Sequence, residues 1–173
     1  MLMDQMAQAV QAGKIRAVGV SNFSASQMRR AIDRLGRYNI PLAANEVEYN
    51  LWHRQPEVDG VLDACRELNV ALVAYRPLAG GRLAASVSQR APSRSSKKGQ
   101  EELPEILQAI AERRGKSVSQ VILNWLLRRD EHIIPIPGAT RAAHALANAK
   151  ALNWQLNDEE FASIDQASSP SKR

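Results

Sequence analysis

The stretch Gly13-Lys14-Ile15-Arg16-Ala17-Val18-Gly19-Val20-Ser21-Asn22-Phe23 decides the fold of this chain. Its apolar run over residues 15–20 has the length and the β-branched content of a buried parallel strand. Ser21 and Asn22 come directly after it, and the pattern turns helical from Ser24. Because α/β proteins bind ligands at the carboxyl ends of parallel strands, this pair is a candidate binding site. A helix-capping turn is the alternative interpretation.

The order of strand and helix repeats along the rest of the chain. We predict further strands at 43–49, 70–75 and 133–136, each followed by helical periodicity. A helix that ends at Gly13 precedes the first strand, and Ser24 is the predicted cap of the helix that follows it. A further helix is predicted over about 57–68, and Asn157 with Glu160 resembles a capping box at the start of the last helix. Four such repeats predict a parallel sheet whose carboxyl ends lie on one rim. The predicted fold class is therefore α/β, with about four βα units.

The composition is typical of one globular domain. The chain has 173 residues, of which 45% are hydrophobic and 24% charged, so we expect a single domain over residues 1–173. The stretch 84–100 is rich in Ser, Arg and Lys, which predicts a flexible loop. The single cysteine, Cys65, lies on the apolar face of a predicted helix and is expected to fill the core, because one cysteine excludes an intrachain disulfide.

Charge and hydropathy narrow the classes of partner. The formal net charge is +5, but the excess of positive charge lies in the predicted loop, and aromatic residues make up only 5% of the chain. A nucleic-acid partner is therefore not expected. No apolar run approaches the roughly 18 residues of a membrane span, and the first residues do not resemble a signal peptide. We expect a cytoplasmic protein with no membrane partner.

Four motifs in this order resemble the carboxyl half of the aldo-keto reductases. They are Gly-Val-Ser-Asn-Phe at 19–23, Asn-Glu-Val-Glu-Tyr-Asn at 45–50, Ala-Tyr-Arg-Pro-Leu at 74–78 and Ile-Pro-Ile-Pro-Gly-Ala-Thr-Arg at 134–141. The resemblance implies the fifth to eighth βα units of a (β/α)8 barrel, that is, a half-barrel of TIM-barrel type. It also implies a nicotinamide cofactor, NADP or possibly NAD, bound in extended form without a Rossmann domain.

The resemblance implies a role for each matching position. Ser21, Asn22 and Glu46 would hold the nicotinamide carboxamide, and Tyr75 would stack on the nicotinamide ring. The turn over 76–81 would bind the pyrophosphate with its backbone N–H groups and a guanidinium. The segment 138–141 would bind the adenosine phosphate where a helix starts, and Asn148 would face the adenine. The implied cofactor-binding residues are Ser21, Asn22, Glu46, Tyr75, Arg76, Pro77, Leu78, Gly80, Gly138, Ala139, Thr140, Arg141 and Asn148.

The chain departs from the family pattern in two respects. Glu46 stands where the family usually has glutamine, and an ionised carboxylate accepts hydrogen bonds but cannot donate them. The family's catalytic Asp, Tyr, Lys and His come from the earlier strands, and nothing in this chain matches them. We therefore assign no catalytic residue and no metal ligand, and Tyr49 is not taken as the proton donor.

Three functions remain open from the sequence. The first is NAD(P)H-dependent carbonyl reduction of aldo-keto reductase type. The second is a cofactor-binding or self-assembling half-barrel without reductase activity, and the third is a hydrolase that uses Ser21 as its nucleophile. A half-barrel leaves the strands at 15–20 and 133–136 with unpaired edges, so we expect a homodimer that covers them.

Overall fold

Four parallel strands form one sheet in the order β1-β2-β3-β4. This computed structural model describes residues 2–89 and 102–170 of the chain. The strands are β1 Val18–Ser21, β2 Leu42–Glu48, β3 Ala71–Tyr75 and β4 Ile133–Pro135. Each strand pairs with the next one along the chain, as expected for consecutive βα units. The predicted α/β class with four parallel strands is confirmed.

Helices connect the strands and flank them at both ends. In the described residues they are α1 Leu2–Gln11, α2 Ala25–Gly36, α3 Gln55–Val58, α4 Val61–Leu68, α5 Arg82–Gln89, α6 Leu103–Arg114, α7 Val118–Arg129, α8 Ala142–Ala149 and α9 Asp158–Ala167. Short 3-10 turns occupy Ala79–Gly81 and Lys150–Asn153.

Local sequence explains where several helices begin. Ser24 caps α2, Ser117 caps α7 and Asn157 caps α9, each through a capping box with the side chain three residues later. Such a box satisfies two backbone N–H groups that the first turn of a helix leaves unpaired. The predicted caps at Ser24 and Asn157 are confirmed.

Two predicted boundaries are wrong. The first strand starts at Val18 rather than at residue 15, because the amides of Lys14 and Ile15 donate to the Ala9 carbonyl and close the end of α1. The helix predicted over 57–68 is split into α3 and α4 at Gly60, whose φ of 79° is left-handed. A glycine can adopt that conformation without the cost that a Cβ brings.

The loop expected over 84–100 is also wrong in its first part. Helix α5 extends to Gln89 and packs against α6 and α7, with Leu83 buried. The polar composition of this segment does not predict a helix, because one buried leucine contributes little to the apolar pattern of a short segment. Residues 90–100 lie outside the described residues.

The sheet has one face covered by helices and one that we call the open face. Buried residues alternate with less buried ones along the strands, so that Asn45, Val47 and Leu72 face the helices. The strand register aligns the intervening positions in rows across the open face. One row consists of Ser21, Glu46, Val73 and Ile134.

Cys65 lies in the core between the helices and the sheet, as predicted. It is fully buried, and burial raises the pKa of its thiol to about 11, so the thiol is inert at neutral pH.

Within residues 2–89 and 102–170, every helix is too short or too polar to cross a membrane.

Candidate functional site

A chain of hydrogen bonds joins the ends of three strands at the carboxyl rim. The Tyr75 hydroxyl donates to Asn22 Oδ1 over 3.2 Å, and Asn22 Nδ2 donates to Ser21 Oγ over 3.1 Å. Ser21 Oγ in turn donates to the backbone carbonyl of Glu46 over 3.1 Å. Four residues that the sequence singled out therefore lie together, although they are up to 54 positions apart in the chain.

The turn between β1 and α2 is held in place by Asn45. The Asn45 side chain accepts from Phe23 N–H at 3.2 Å and donates to the Phe23 carbonyl at 2.8 Å. Its amide also lies 3.3 Å from the sulfur of Met28, and the side chain is fully buried. Asn22, one residue before this clamp, takes a left-handed φ of 56°, which asparagine tolerates better than most residues. Asn45 thereby fixes the backbone that presents the Ser21-Asn22 pair.

Sequence reasoning missed the role of Asn45. A polar interior in a strand of this kind favours a position that faces a binding site, but Asn45 points to the helix side of the sheet. The available signal was its position, because a polar residue inside a strand that helices cover needs a hydrogen-bonding partner. Glu46, the next residue, has the opposite orientation and belongs to the open face.

The turn after β3 is strained and is supported from β2. Arg76 and Ala79 both have a φ of 49°, a left-handed conformation that is costly for residues with a Cβ. Asn50 Nδ2 donates to the Arg76 carbonyl at 3.1 Å and holds the turn against the end of β2. Two amides of the turn already donate inside it, those of Ala79 and Gly81. Any phosphate at this turn would therefore have to be bound by other groups.

The Arg76 guanidinium is the cation at this turn. Its Nη1 lies 3.8 Å from a carboxylate oxygen of Glu48, and 67% of the side chain is exposed. An ion pair of this length and exposure contributes about 0–1 kcal/mol. The guanidinium can therefore turn toward an anionic ligand at little cost.

The last part of the rim follows β4. Residues Gly138, Ala139, Thr140 and Arg141 are all exposed, and α8 begins at the next residue, Ala142. Arg141 occupies the N-cap position of α8. Backbone amides at a helix start and an adjacent guanidinium both attract anions. This is the location that the resemblance implied for a phosphate, and its role stays a prediction.

Asn148 lies at the opposite end of α8 from Arg141. It belongs to the last turn of α8, about 10 Å along the helix axis from Arg141 at 1.5 Å per residue. It lines an apolar groove together with Pro137 and Leu152. Its predicted contact with adenine is not tested by this arrangement, nor are the predicted roles of Pro77, Leu78 and Gly80 in the turn.

The hydrogen bonds of Ser21 do not resemble those of a catalytic nucleophile. A serine nucleophile needs a base that accepts its proton, most often a histidine. Here the Ser21 hydroxyl donates to the Glu46 backbone carbonyl and accepts from the Asn22 side chain. The structure thus offers the hydrolase hypothesis no support.

A buried group of charges lies under the loop that follows β2. The Glu57 carboxylate accepts from Arg54 at 2.6 and 2.9 Å, from Arg129 at 2.5 Å and from the Tyr49 hydroxyl at 2.6 Å. Arg54 also donates to Asp165 at 2.8 Å and lies over the Trp125 ring at 4.9 Å. Tyr49 is fully buried, and burial followed by its hydrogen bond to Glu57 raises the pKa of its phenol. This tyrosine is therefore a structural residue whose side chain belongs to the buried cluster.

The chain matches the model of the aldo/keto reductase family over residues 1–169. The chain belongs to this family. It is 32% identical to the chloroplastic pyridoxal reductase of Arabidopsis thaliana over 180 residues, which cover 99% of this chain and 49% of that protein. It is 33% identical to the L-glyceraldehyde 3-phosphate reductase of Escherichia coli strain K12, covering 93% of this chain and 51% of that protein.

A solved structure gives the same result for the fold. An aldo/keto reductase from Klebsiella pneumoniae, crystallised with NADP and acetate, superposes with a TM-score of 0.78 at 33% identity. The match covers 99% of this chain and 54% of that one. The chain thus spans about half the length of the family members it matches, and the expected half-barrel is confirmed.

Proposed function

We propose that this chain is the carboxyl-terminal half of an aldo-keto reductase barrel and that it supplies the cofactor site of an NADP-dependent carbonyl reductase. The observation that carries the proposal is the hydrogen-bonded chain from Tyr75 through Asn22 to Ser21 at the carboxyl rim. Ser21 and Asn22 lie at the end of β1 and Tyr75 at the end of β3, and all three belong to the motifs that suggest a nicotinamide site. The NADP bound to the Klebsiella relative supports the choice of cofactor.

Different residues along the rim are proposed to bind different parts of the cofactor. Asn22 and Ser21 offer an amide and a hydroxyl, groups that both donate and accept, to the nicotinamide carboxamide. Tyr75 offers a ring face for stacking, and its hydroxyl bond to Asn22 fixes the orientation of both. Arg76 and Arg141 are the cations proposed for the pyrophosphate and the adenosine phosphate. NAD would bind with the loss of one of these contacts.

We propose that the reduction step depends on residues outside this chain. Hydride would come from the nicotinamide, and a general acid must protonate the carbonyl oxygen. By motif, we match no residue of the chain to the family's catalytic tetrad, and Tyr49, which belongs to a different motif, is buried in an ion-pair cluster. A half-barrel that binds the cofactor without reducing a substrate is therefore the second candidate.

The unpaired edges of β1 and β4 affect how the isolated chain associates. Without a complementary half, unpaired strand edges favour self-association, and we propose a homodimer in that state. The cytoplasmic location expected from the sequence stays a prediction.

The test compares the binding of NADPH and NADH by titration calorimetry. Arg141→Ala should raise the Kd for NADPH about tenfold or more, since a charge-assisted hydrogen bond contributes about 1.5–3 kcal/mol, and should leave NADH nearly unchanged. Arg30→Ala is the matched control, because Arg30 is an exposed arginine on α2 away from the rim. Equal losses for both cofactors, or no binding of either by the unmodified chain, would contradict the proposal.

A further inference from the structure

We propose that the negative charge of Glu46 shifts the preference of the cofactor site from NADPH toward the oxidised form, NADP⁺. This role of Glu46 rests on the proposed function, because it concerns the nicotinamide end of that site. It makes one side chain responsible for which form of the cofactor the chain binds more tightly.

Glu46 lies on the same face of the sheet as the residues proposed for the nicotinamide. The register pairs it with Ser21 on one side and with Val73 on the other. The Ser21 hydroxyl donates to the backbone carbonyl of Glu46 over 3.1 Å, so the two strands are in direct contact at this level. Because side chains paired in register in a parallel sheet share a face, the Glu46 side chain belongs to the open face beside Ser21.

The Tyr75 ring belongs to the same face. Tyr75 follows Val73 by two residues on β3, and alternate residues of a strand point to the same side. It is therefore one strand across and two residues along from Glu46. Strands about 4.8 Å apart with a rise of about 3.3 Å per residue put the two Cα atoms about 8 Å apart. A ring stacked on Tyr75 and the carboxylate of Glu46 consequently share the space above this end of the sheet.

The Glu46 carboxylate differs from its neighbour Glu48 in its partners. Glu48 lies two residues later on the same face, and its carboxylate has Arg76 Nη1 at 3.8 Å. Glu46 is half-buried, and within residues 2–89 and 102–170 its carboxylate has neither a hydrogen bond nor an ion pair. Its charge is therefore not compensated by the described part of the chain, and it acts on a charge that binds above it.

The two forms of the cofactor differ in charge at the ring that would stack on Tyr75. The nicotinamide ring is neutral in NADPH and carries one positive charge in NADP⁺, whereas the phosphates are the same. The proposed contacts of Arg76 and Arg141 with those phosphates therefore contribute equally to both forms. A fixed negative charge near the ring distinguishes them, because it attracts the cationic ring and has little effect on the neutral one.

Hydrogen bonding to the carboxamide does not produce such a preference. The carboxamide has the same donor and acceptor groups in both forms, and an ionised Glu46 can only accept from its nitrogen. A glutamine at this position both accepts and donates, so it would strengthen the binding of both forms alike. The ratio of the two dissociation constants thus isolates the effect of the charge.

The effect is modest because the side chain is only half-buried. For unit charges about 8 Å apart, Coulomb's law gives about a twofold to tenfold difference in Kd when the effective dielectric constant is about 30–80. A tenfold change in the ratio of the Kd values corresponds to about 30 mV for a two-electron couple. Glu46 thereby makes the reduction potential of the bound cofactor more negative, and it makes NADP⁺ a stronger product inhibitor.

Titration calorimetry of residues 1–173 with NADP⁺ and with NADPH tests this role of Glu46. Glu46→Gln removes the charge and should raise the ratio of the Kd for NADP⁺ to the Kd for NADPH about twofold to tenfold. Glu46→Lys changes the charge by two units and should move the logarithm of this ratio about twice as far in the same direction. Glu67→Gln is the matched control, because it removes the same charge from an exposed position on α4, and it should leave the ratio unchanged.

A ligand without the nicotinamide separates the effect of charge from a damaged fold. The adenosine bisphosphate part of the cofactor should bind to the unmodified chain and to all three variants with the same Kd. An equal ratio in the unmodified chain and in both Glu46 variants, or a lower ratio in Glu46→Lys, would overturn the role of Glu46 and leave the cofactor site intact. If the unmodified chain bound neither NADP⁺ nor NADPH, the proposed function would be refuted, and this role with it.

Discussion

Replacement of Glu57 by glutamine is expected to destabilise the fold more than the loss of an exposed ion pair would. The carboxylate accepts hydrogen bonds from Arg54, Arg129 and Tyr49, and its side chain is only 10% exposed. Glu57→Gln keeps the size of the side chain but removes its charge. It leaves the 4% exposed side chain of Arg54 with Asp165 as its remaining carboxylate partner.

The magnitude follows from the pKa of Glu57. Burial by itself would raise the pKa of this carboxyl, but the hydrogen bonds from Arg54, Arg129 and Tyr49 outweigh it and lower the pKa from 4.5 to about 2. At about 1.4 kcal/mol per pKa unit, this difference corresponds to about 3 kcal/mol of stability at neutral pH. The loss measured when one partner of a buried pair is removed is similar, about 3–5 kcal/mol.

Urea unfolding at a fixed protein concentration measures the loss. Glu67→Gln is the matched control, because Glu67 pairs with Arg29 at 2.5 Å but both side chains are about half exposed or more, at 61% and 46%. That variant should lose at most about 1 kcal/mol. If Glu57→Gln loses no more than Glu67→Gln does, the assignment of stability to the buried cluster is refuted.

The pH dependence gives a second check. A carboxyl whose pKa is lower in the folded state stabilises the fold above its unfolded value. The contribution of Glu57 is therefore complete above about pH 4.5 and is lost as the pH falls toward about 2. The difference in unfolding free energy between the unmodified chain and Glu57→Gln should shrink in that interval. A difference that grows on acidification would contradict the sign of this shift.

Three further outcomes are expected at the rim. Asn45→Ala should cost about 2–3 kcal/mol in urea unfolding, because it leaves the partly buried N–H and carbonyl of Phe23 without their partner. It should also weaken NADPH binding, and unchanged stability would argue against the clamp. Glu46→Gln should lower the Kd for NADPH about threefold to tenfold in calorimetry, since an amide can donate to the carboxamide oxygen, and an unaltered Kd would remove Glu46 from the site. Glyceraldehyde reduction by the isolated chain should be about 10²–10⁴ times slower than that of a complete relative, because the general acid is missing; turnover at the rate of a relative would show that another residue donates the proton.

The parts of the fold that the sequence predicted are those that depend on near neighbours in the chain. The strand predicted at 70–75 agrees with β3 within one residue at each end, because a buried parallel strand is a short continuous apolar run. The strand predicted at 43–49 agrees with β2 equally well, although its interior is polar. The caps at Ser24 and Asn157 likewise depend on a side chain three positions away. The positions of Ser21, Asn22 and Tyr75 at one rim followed from strand order alone.

What only the tertiary structure decided involves partners far apart in the chain. Residues 15–17 have the composition of a strand, yet the end of α1 takes up the amide of Ile15. Asn45 is the clamp of the β1 turn because Phe23 lies opposite it, and the cluster of Arg54 and Glu57 forms because Asp165 and Arg129 approach from helices more than 70 positions later. A polar residue in the sequence shows that it needs a partner when buried, but only packing determines which partner it meets. The half-barrel itself was implied by the family resemblance of four motifs, whereas the contacts among its helices and strands depend on packing between distant segments.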